Sequence, residues 1–335
     1  MKRVLSGMQP SGKLHIGNLV GALQNWIILQ DSYDCYYMVV DWHALTSQYK
    51  DTSSLNEYIK DMLINWLAAG LDPQKCTMFI QSQVKEHAEL NLLLAMITPL
   101  SWLERIPTYK EKREELKDRD LGTYGFLGYP LLQSADILIY NADYVPVGED
   151  QLPHLEIARE IARRFNHFYS KIFTEPQALL TPFPKVVGLD GRKMSKTYGN
   201  CIYLSDSSEV VENKIKTMVT DPARVRRKDP GTPELSPVYH LHKIFSSEKE
   251  QHEVAQGCQT ASIGCIDCKK VLIRNIFTVL EPIWEKRESL IKNPDIIMDI
   301  ITSGAQQARF KAQEVIEKIR EAMNVSVEKL MSSNQ

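Results

Sequence analysis

RVLSGMQPSGKLHIGN, residues 3–18, joins a short apolar run to a turn rich in glycine and proline, then to the start of a helical pattern. Arg3 to Ser6 reads as a buried strand that ends at Gly7. Residues 17–30 carry Leu19, Val20, Leu23, Trp26 and Ile27 at helical spacing. The same alternation continues outward. Cys35 to Val40 is apolar and β-rich. Leu55 to Leu67 is helical, with Gly70 as a stop and Asp72-Pro73 beyond it. Cys76 to Ile80 is a further strand, and His87 to Ile97 a further helix. Strands alternating with helices predict parallel βαβ units and an α/β fold with a doubly wound, Rossmann-type sheet. Ligands of such sheets sit where the strands end and the loops begin.

Further along, residues 101–120 hold six basic and six acidic residues. They read as a solvated helical insert. Gly128-Tyr129-Pro130 opens an apolar helix that runs to Tyr140. Tyr144 to Val147 is a short strand leading into Gly148, and Leu152 to Phe168 is an amphipathic helix. From about Ser205 the β signal fades. We therefore expect a sheet-bearing domain over residues 1–204 and an all-helical C-terminal domain after it.

Composition narrows the class. The 335 residues are 43% hydrophobic and 24% charged, as in a globular protein able to bury a core. Forty Lys+Arg against 42 Asp+Glu give a formal net charge of −2, which excludes a uniformly basic nucleic-acid coat but not a local basic surface. No run of apolar residues is long enough for a membrane span, and the opening residues lack the features of a secretory signal. The expectation is a cytoplasmic protein without disulfides.

Two short motifs suggest chemistry. Gln9-Pro10-Ser11-Gly12-Lys13-Leu14-His15-Ile16-Gly17-Asn18 lies between strand and helix, where unpaired amides favour phosphate. It matches neither the P-loop nor the dinucleotide fingerprint. Gly17 lacks a Cβ, so a flat base could approach the backbone there. A plain turn ahead of a core helix fits the composition equally well. Gly191-Arg192-Lys193-Met194-Ser195-Lys196-Thr197 places two lysines three apart on a loop. That suits a polyphosphate whose charge grows during reaction, although such a loop is usually just solvated.

Taken together, these motifs resemble the HIGH and KMSKS signatures of class I aminoacyl-tRNA synthetases, in the right order and about 180 residues apart. Asn18 replaces the final His of the first, and Thr197 the final Ser of the second. Gly148-Glu149-Asp150-Gln151 resembles the G-x-D-Q element of the tryptophanyl and tyrosyl subgroup. Asp41-Trp42-His43-Ala44, Ser134-Ala135-Asp136-Ile137 and Ser6 to Gly12 are similar to the bacterial tryptophanyl members.

The resemblance implies formation of tryptophanyl-adenylate from L-tryptophan and ATP, followed by transfer to tRNA(Trp). The substrate carboxylate is itself the nucleophile, so alignment and charge stabilisation suffice. By the same resemblance, Gln9, Pro10, Ser11, His15, Gly17 and Asn18 would hold ATP, with His15, Lys193 and Lys196 as catalytic groups. Gly148, Glu149 and Asp150 would lie at the ribose. Val186, Met194 and Ser195 would complete the nucleotide site. Asp136 would accept the indole N–H, and Gly7, Val40, His43, Gln133, Val145, Val147 and Gln151 would complete the amino-acid pocket. Mg²⁺ would travel with the ATP phosphates. The implied assembly is a homodimer, with residues 205–315 reading the anticodon and residues 316–335 packing back on the catalytic domain.

Departures from the family pattern also carry expectations. Gln133 stands where members often have Met, one helical turn before Asp136, which predicts a more polar pocket. Cys258, Cys265 and Cys268 match the last three ligands of an iron–sulfur site found in some members. Leu235-Ser236-Pro237 stands where a fourth cysteine is expected, so loss of the cluster is favoured over a labile cluster or zinc. Pro222 to Lys228 has four basic residues in seven and fits either a tRNA contact or a solvated loop. The alternatives to tryptophan activation are a tyrosyl enzyme, whose phenol could also donate to Asp136, and a non-catalytic paralogue.

Overall fold

The computed structural model describes residues 1–107, 109, 120–180 and 186–326. Five strands, β1 (Arg3–Met8), β2 (Asp34–Val39), β3 (Cys76–Ile80), β4 (Tyr144–Val147) and β5 (Gln177–Leu180), form one parallel sheet in the order β3-β2-β1-β4-β5. This is the doubly wound sheet expected from the alternation. β1 pairs with β2 from Arg3–Asp34 to Met8–Val39, but its register with β4 holds only Val4–Tyr144. The strand order turns back between β1 and β4, and there their carboxyl ends open a crevice.

Side-chain alternation explains the three layers. Val4, Cys35, Tyr37 and Val39 point into one core with the first helix, Leu55–Ala69 and Cys265–Lys292. Leu5, Tyr36, Met38 and Val40 point into the other, with Glu86–Ala95, Tyr129–Leu138, Leu152–Phe168 and Pro294–Ala322. Successive residues of a strand face opposite sides, so near-continuous apolar strands need cover on both.

Three local features differ from the expected elements. The first helix is built of Ile16–Asn18, a π-type stretch Leu19–Leu23, and Gln24–Leu29. The wider turn falls where Gly21 and Ala22 face the crevice. Asp41–Gln48 forms a helix at the end of β2, and β5 adds a fifth strand. The short Leu100–Glu104 helix opens the charged segment, of which residues 108 and 110–119 lie outside the described residues.

The C-terminal part contains the helices Ser208–Thr217, Pro237–Phe245, Glu248–Gln259, Cys265–Lys292 and Pro294–Ala322. The buried Arg287 guanidinium ties the fourth of these to Leu55–Ala69, donating to Asp61 Oδ1 at 2.9 Å and Asn65 Oδ1 at 2.6 Å. The last helix covers the β3 edge and lies on Glu86–Ala95, where Arg320 makes two 2.6 Å bonds to Glu89. It runs unbroken through residue 315, so the helical part and the returning segment share one element; residues 327–335 lie outside the described residues.

Gly304 sets how closely that helix approaches. A Cβ there would fall inside van der Waals distance of the Met78 carbonyl in β3. Gly304→Ala should therefore destabilise the protein by about 2 kcal/mol or more despite its better helix propensity. Gly21→Ala is the control, since its Cβ would meet no described heavy atom within 4 Å. Equal denaturant midpoints for the two variants would contradict this packing.

Candidate active site

The crevice between β1 and β4 deepens into a cavity of about 380 Å³. Gly7, Val40, His43, Gln133, Asp136, Val145, Val147 and Gln151 all line it, as do Gln9 and Gly148 from the expected nucleotide set. Gly7 is required by close approach: a Cβ there would stand 2.7 Å from Val40 Cγ1. Tyr129, Trp26, Met38 and Ile137 also line the cavity and were not foreseen. Trp26 is fixed by stacking on Tyr37, with ring centroids 4.5 Å apart. Tyr129 is held by His154, 2.8 Å from its hydroxyl.

Asp136 lines the cavity and is 2% exposed. Gln81 Nε2 donates to both its oxygens, at 2.8 and 2.9 Å. His43 Nε2 donates to Oδ2 at 2.9 Å and His87 Nδ1 to Oδ1 at 2.7 Å. Burial pushes this carboxyl upward, but the bonds from His43 and His87 outweigh it and hold the pKa below the ordinary value. Asp136 is therefore an ionised acceptor with no proton to give. Gln81 and His87 escaped the sequence reading. Gln81 directly follows β3, so the rule that ligands gather at strand ends could have marked it.

The two motif loops meet each other, and Gln9 of the first also lines the cavity. Lys196 Nζ donates to the Gly12 carbonyl at 2.9 Å and lies 3.5 Å from Ser11 Oγ. Gly12 has φ +129°, a conformation that favours glycine. Burial lowers the Lys196 pKa to about 8. His15 is pushed down to about 4, by burial first and then by Lys196 and Lys193, so its imidazole is neutral at pH 7. Its Nδ1 is buried without a hydrogen-bond partner among the described residues. A Cβ on Gly17 would lie 2.8 Å from that nitrogen. Turn, histidine and glycine thus form a cradle with an unanswered polar atom, which fits a nucleotide.

The remaining expected residues spread around this cradle. Asn18 Oδ1 accepts the His15 backbone N–H at 3.1 Å, closing the turn, and Pro10 is buried within it. Val186 is buried beside Gly17, and its carbonyl accepts the Met194 N–H at 2.9 Å. Met194 is 4% exposed and belongs to the core behind the loop. Lys193 is exposed and Ser195 half-buried. Glu149 and Asp150 sit on the exposed turn Glu149–Gln151 at the opposite rim.

The three cysteines are free, partly buried thiols whose charges are felt by one another. Cys258 Sγ lies 3.7 Å from Arg224 Nη1, and Cys268 Sγ lies 3.4 Å from His242 Nε2. Burial first, then Cys258 and Cys265, raise the Cys268 thiol to about 12. Among the described residues no three His, Cys, Asp or Glu side chains group to hold a metal. These residues do not fit an iron–sulfur cluster. Arg224 itself is turned inward, donating to the carbonyls of Ile263 and Arg227, while Arg226, Arg227 and Lys228 are exposed.

A family model described as tRNA synthetases class I (W and Y) matches residues 1–281. The chain belongs to this family. The synthetase is 55% identical to the tryptophan–tRNA ligase of Thermotoga maritima, over 96% of its own length and 99% of the relative's. It is 43% identical to that of Aquifex aeolicus, over 96% and 100%. A solved Campylobacter jejuni tryptophanyl-tRNA synthetase, complexed with ADP and tryptophan, superposes with a TM-score of 0.88 at 36% identity. That match covers 96% of this chain and 99% of the other.

The lysine loop of the synthetase is shaped by Asn200. Its Oδ1 accepts the Ser195 N–H at 2.8 Å, and its Nδ2 donates to Asp190 Oδ1 at 2.7 Å and to the Lys193 carbonyl at 3.2 Å. Asn200→Ala should speed hydrogen exchange at the Ser195 amide and cost about 1–3 kcal/mol of stability. Unchanged exchange there would show that the loop is held by other contacts.

Proposed function

We propose that the synthetase joins L-tryptophan to ATP and then charges tRNA(Trp). The reading is carried by one observation: Lys196 of the second motif touches Gly12 of the first, and Gln9 of that same first motif lines the cavity that Asp136 also lines. A tryptophan carboxylate oxygen attacks the α-phosphorus of ATP. The bond from that phosphorus to the bridging oxygen breaks, and pyrophosphate leaves with the electron pair. In the second step the 2′-hydroxyl of the terminal adenosine attacks the acyl carbon, and AMP departs.

Each residue has a task in this scheme. The neutral His15 ring and the amides of the Pro10–Asn18 turn hydrogen-bond the phosphates, with Gln9 and Ser11 beside them. The turn at Gly148, Glu149 and Asp150 receives the ribose. Gly17 and Val186 flank the adenine, with Met194 and Ser195 shaping the loop behind it. Lys193 and Lys196 stabilise the charge that grows on the leaving pyrophosphate. Mg²⁺ enters with the ATP phosphates. In the amino-acid pocket, Asp136 accepts the indole N–H, which is donor-only. Gly7, Val40, His43, Val145, Val147 and Gln151 enclose the substrate, and Gln133 adds a polar contact beside Asp136.

The cavity itself supports an aromatic substrate, with Trp26, Met38, Val40, Val145 and Val147 on its walls. The helices from residue 205 onward are assigned to the anticodon, with exposed Arg226, Arg227 and Lys228 available to phosphates. Leu92, Met96 and Leu100 are exposed by 57, 68 and 61%, apolar surface that suits a homodimer contact, which sedimentation equilibrium checks. Among the described residues no helix is long and apolar enough to cross a membrane. We place the enzyme in the cytoplasm, with the iron–sulfur cluster of some relatives lost.

ATP–pyrophosphate exchange across the amino acids tests the reading. Tryptophan should support exchange and tyrosine should not. Lys196→Ala should lower the rate roughly 100-fold. Exchange with tyrosine instead, or little loss in Lys196→Ala, would overturn the substrate or the mechanism respectively.

A further inference from the structure

Behind Asp136 lies a buried group of side chains that the adenylation scheme leaves unused. Gln81, His87 and Tyr140 are each 0% exposed, and none of them lines the cavity. Gln81 opens the turn after β3, His87 sits on Glu86–Ala95, and Tyr140 follows the helix that carries Asp136. His43 is the one donor to Asp136 that also lines the cavity.

Donor and acceptor inventory fixes the roles. An ionised carboxylate only accepts, so every neighbour must offer it an N–H. Gln81 turns its NH₂ to both carboxylate oxygens, which leaves its own Oε1 buried with no partner among the described residues. A side chain serving packing alone would not be expected to leave such an atom unsatisfied. His87 must carry a proton on Nδ1 to bond Asp136 at 2.7 Å. Its Nε2 lies 2.8 Å from the Tyr140 hydroxyl. Burial, with the Asp136 charge adding to it, raises that phenol well above its ordinary range, so the hydroxyl keeps its proton and can donate. Both contacts are satisfied with a proton on His87 Nδ1.

We propose that Gln81 and His87, backed by Tyr140, are positioning residues for tryptophan selection, holding Asp136 from behind as a fixed acceptor for a ring N–H. The proposal rests on the tryptophan reading given above. The rear contacts stay in place, and the front contact from His43 to Oδ2 is the one an entering ring N–H shares or replaces. Loss of a rear donor frees the carboxylate to turn, which weakens recognition of N–H while leaving ATP alignment intact.

The test is ATP–pyrophosphate exchange with L-tryptophan and with its benzothiophene analogue, which has sulfur in place of the ring N–H. Wild type should favour tryptophan. His87→Phe and Gln81→Met should each raise the tryptophan KM at least tenfold, with kcat and the ATP KM little changed and the analogue KM unmoved. His87→Asn, which restores an N–H donor, should recover most of the tryptophan KM. Equal losses for both substrates, a parallel rise in ATP KM, or no rescue by Asn would overturn the assignment. Nitrogen-15 NMR of the wild-type histidines gives a readout that needs no variant. His87 should be protonated on Nδ1, and a proton on Nε2 alone would contradict the relay. No exchange with tryptophan in wild type would instead sink the substrate reading on which the inference stands.

Discussion

The site depends on one ammonium group held where water is scarce. Lys196 donates a hydrogen bond to the Gly12 carbonyl and so ties a loop near residue 195 to a turn near residue 12. Partial burial makes that charge costly, which is why its pKa falls to about 8. The same charge, with Lys193, helps keep His15 neutral. An anion entering between turn and loop would relieve the lysine and meet a histidine ready to hydrogen-bond. The electrostatics between turn and loop thus suit a polyphosphate.

The sheet supplies the rest of the geometry. β1 and β4 share a register at one residue pair, so their carboxyl ends diverge and the cavity forms between them. The wide turn Leu19–Leu23 brings Gly21 and Ala22 to its wall. Asp136 reaches the cavity from the helix Tyr129–Leu138, and its charge is sustained by donors from the helix after β2 and the turn after β3. A buried carboxylate without such donors would favour its protonated form and lose its value as an acceptor. The C-terminal helices brace this arrangement, through Arg287 on one face of the sheet and Pro294–Ala322 along its edge.

Much of this was legible in the residues. β1 to β4 are apolar runs bounded by Gly, Pro or Asp, and their burial leaves little room for another reading. β5 was hidden because Gln177–Leu180 is an edge strand whose four residues are all at least partly exposed. The two motif loops are local sequence features, and the residues expected around the amino acid do gather on one cavity. Gln81 and His87 were hidden for a different reason. Their meaning comes from contacts with Asp136, 55 and 49 residues away, and nothing in their own neighbourhood marks a buried polar pair. The cysteine spacing is legible too, but the neighbours of the sulfurs, Arg224 at Cys258 and His242 at Cys268, come from distant parts of the chain.

A crystal structure with tryptophan and a non-hydrolysable ATP analogue tests the account most directly. It should place the phosphates between the Pro10–Asn18 turn and the lysines at 193 and 196, with the indole nitrogen about 3 Å from an Asp136 oxygen. Phosphates bound away from either loop, or an indole ring turned from Asp136, would contradict it.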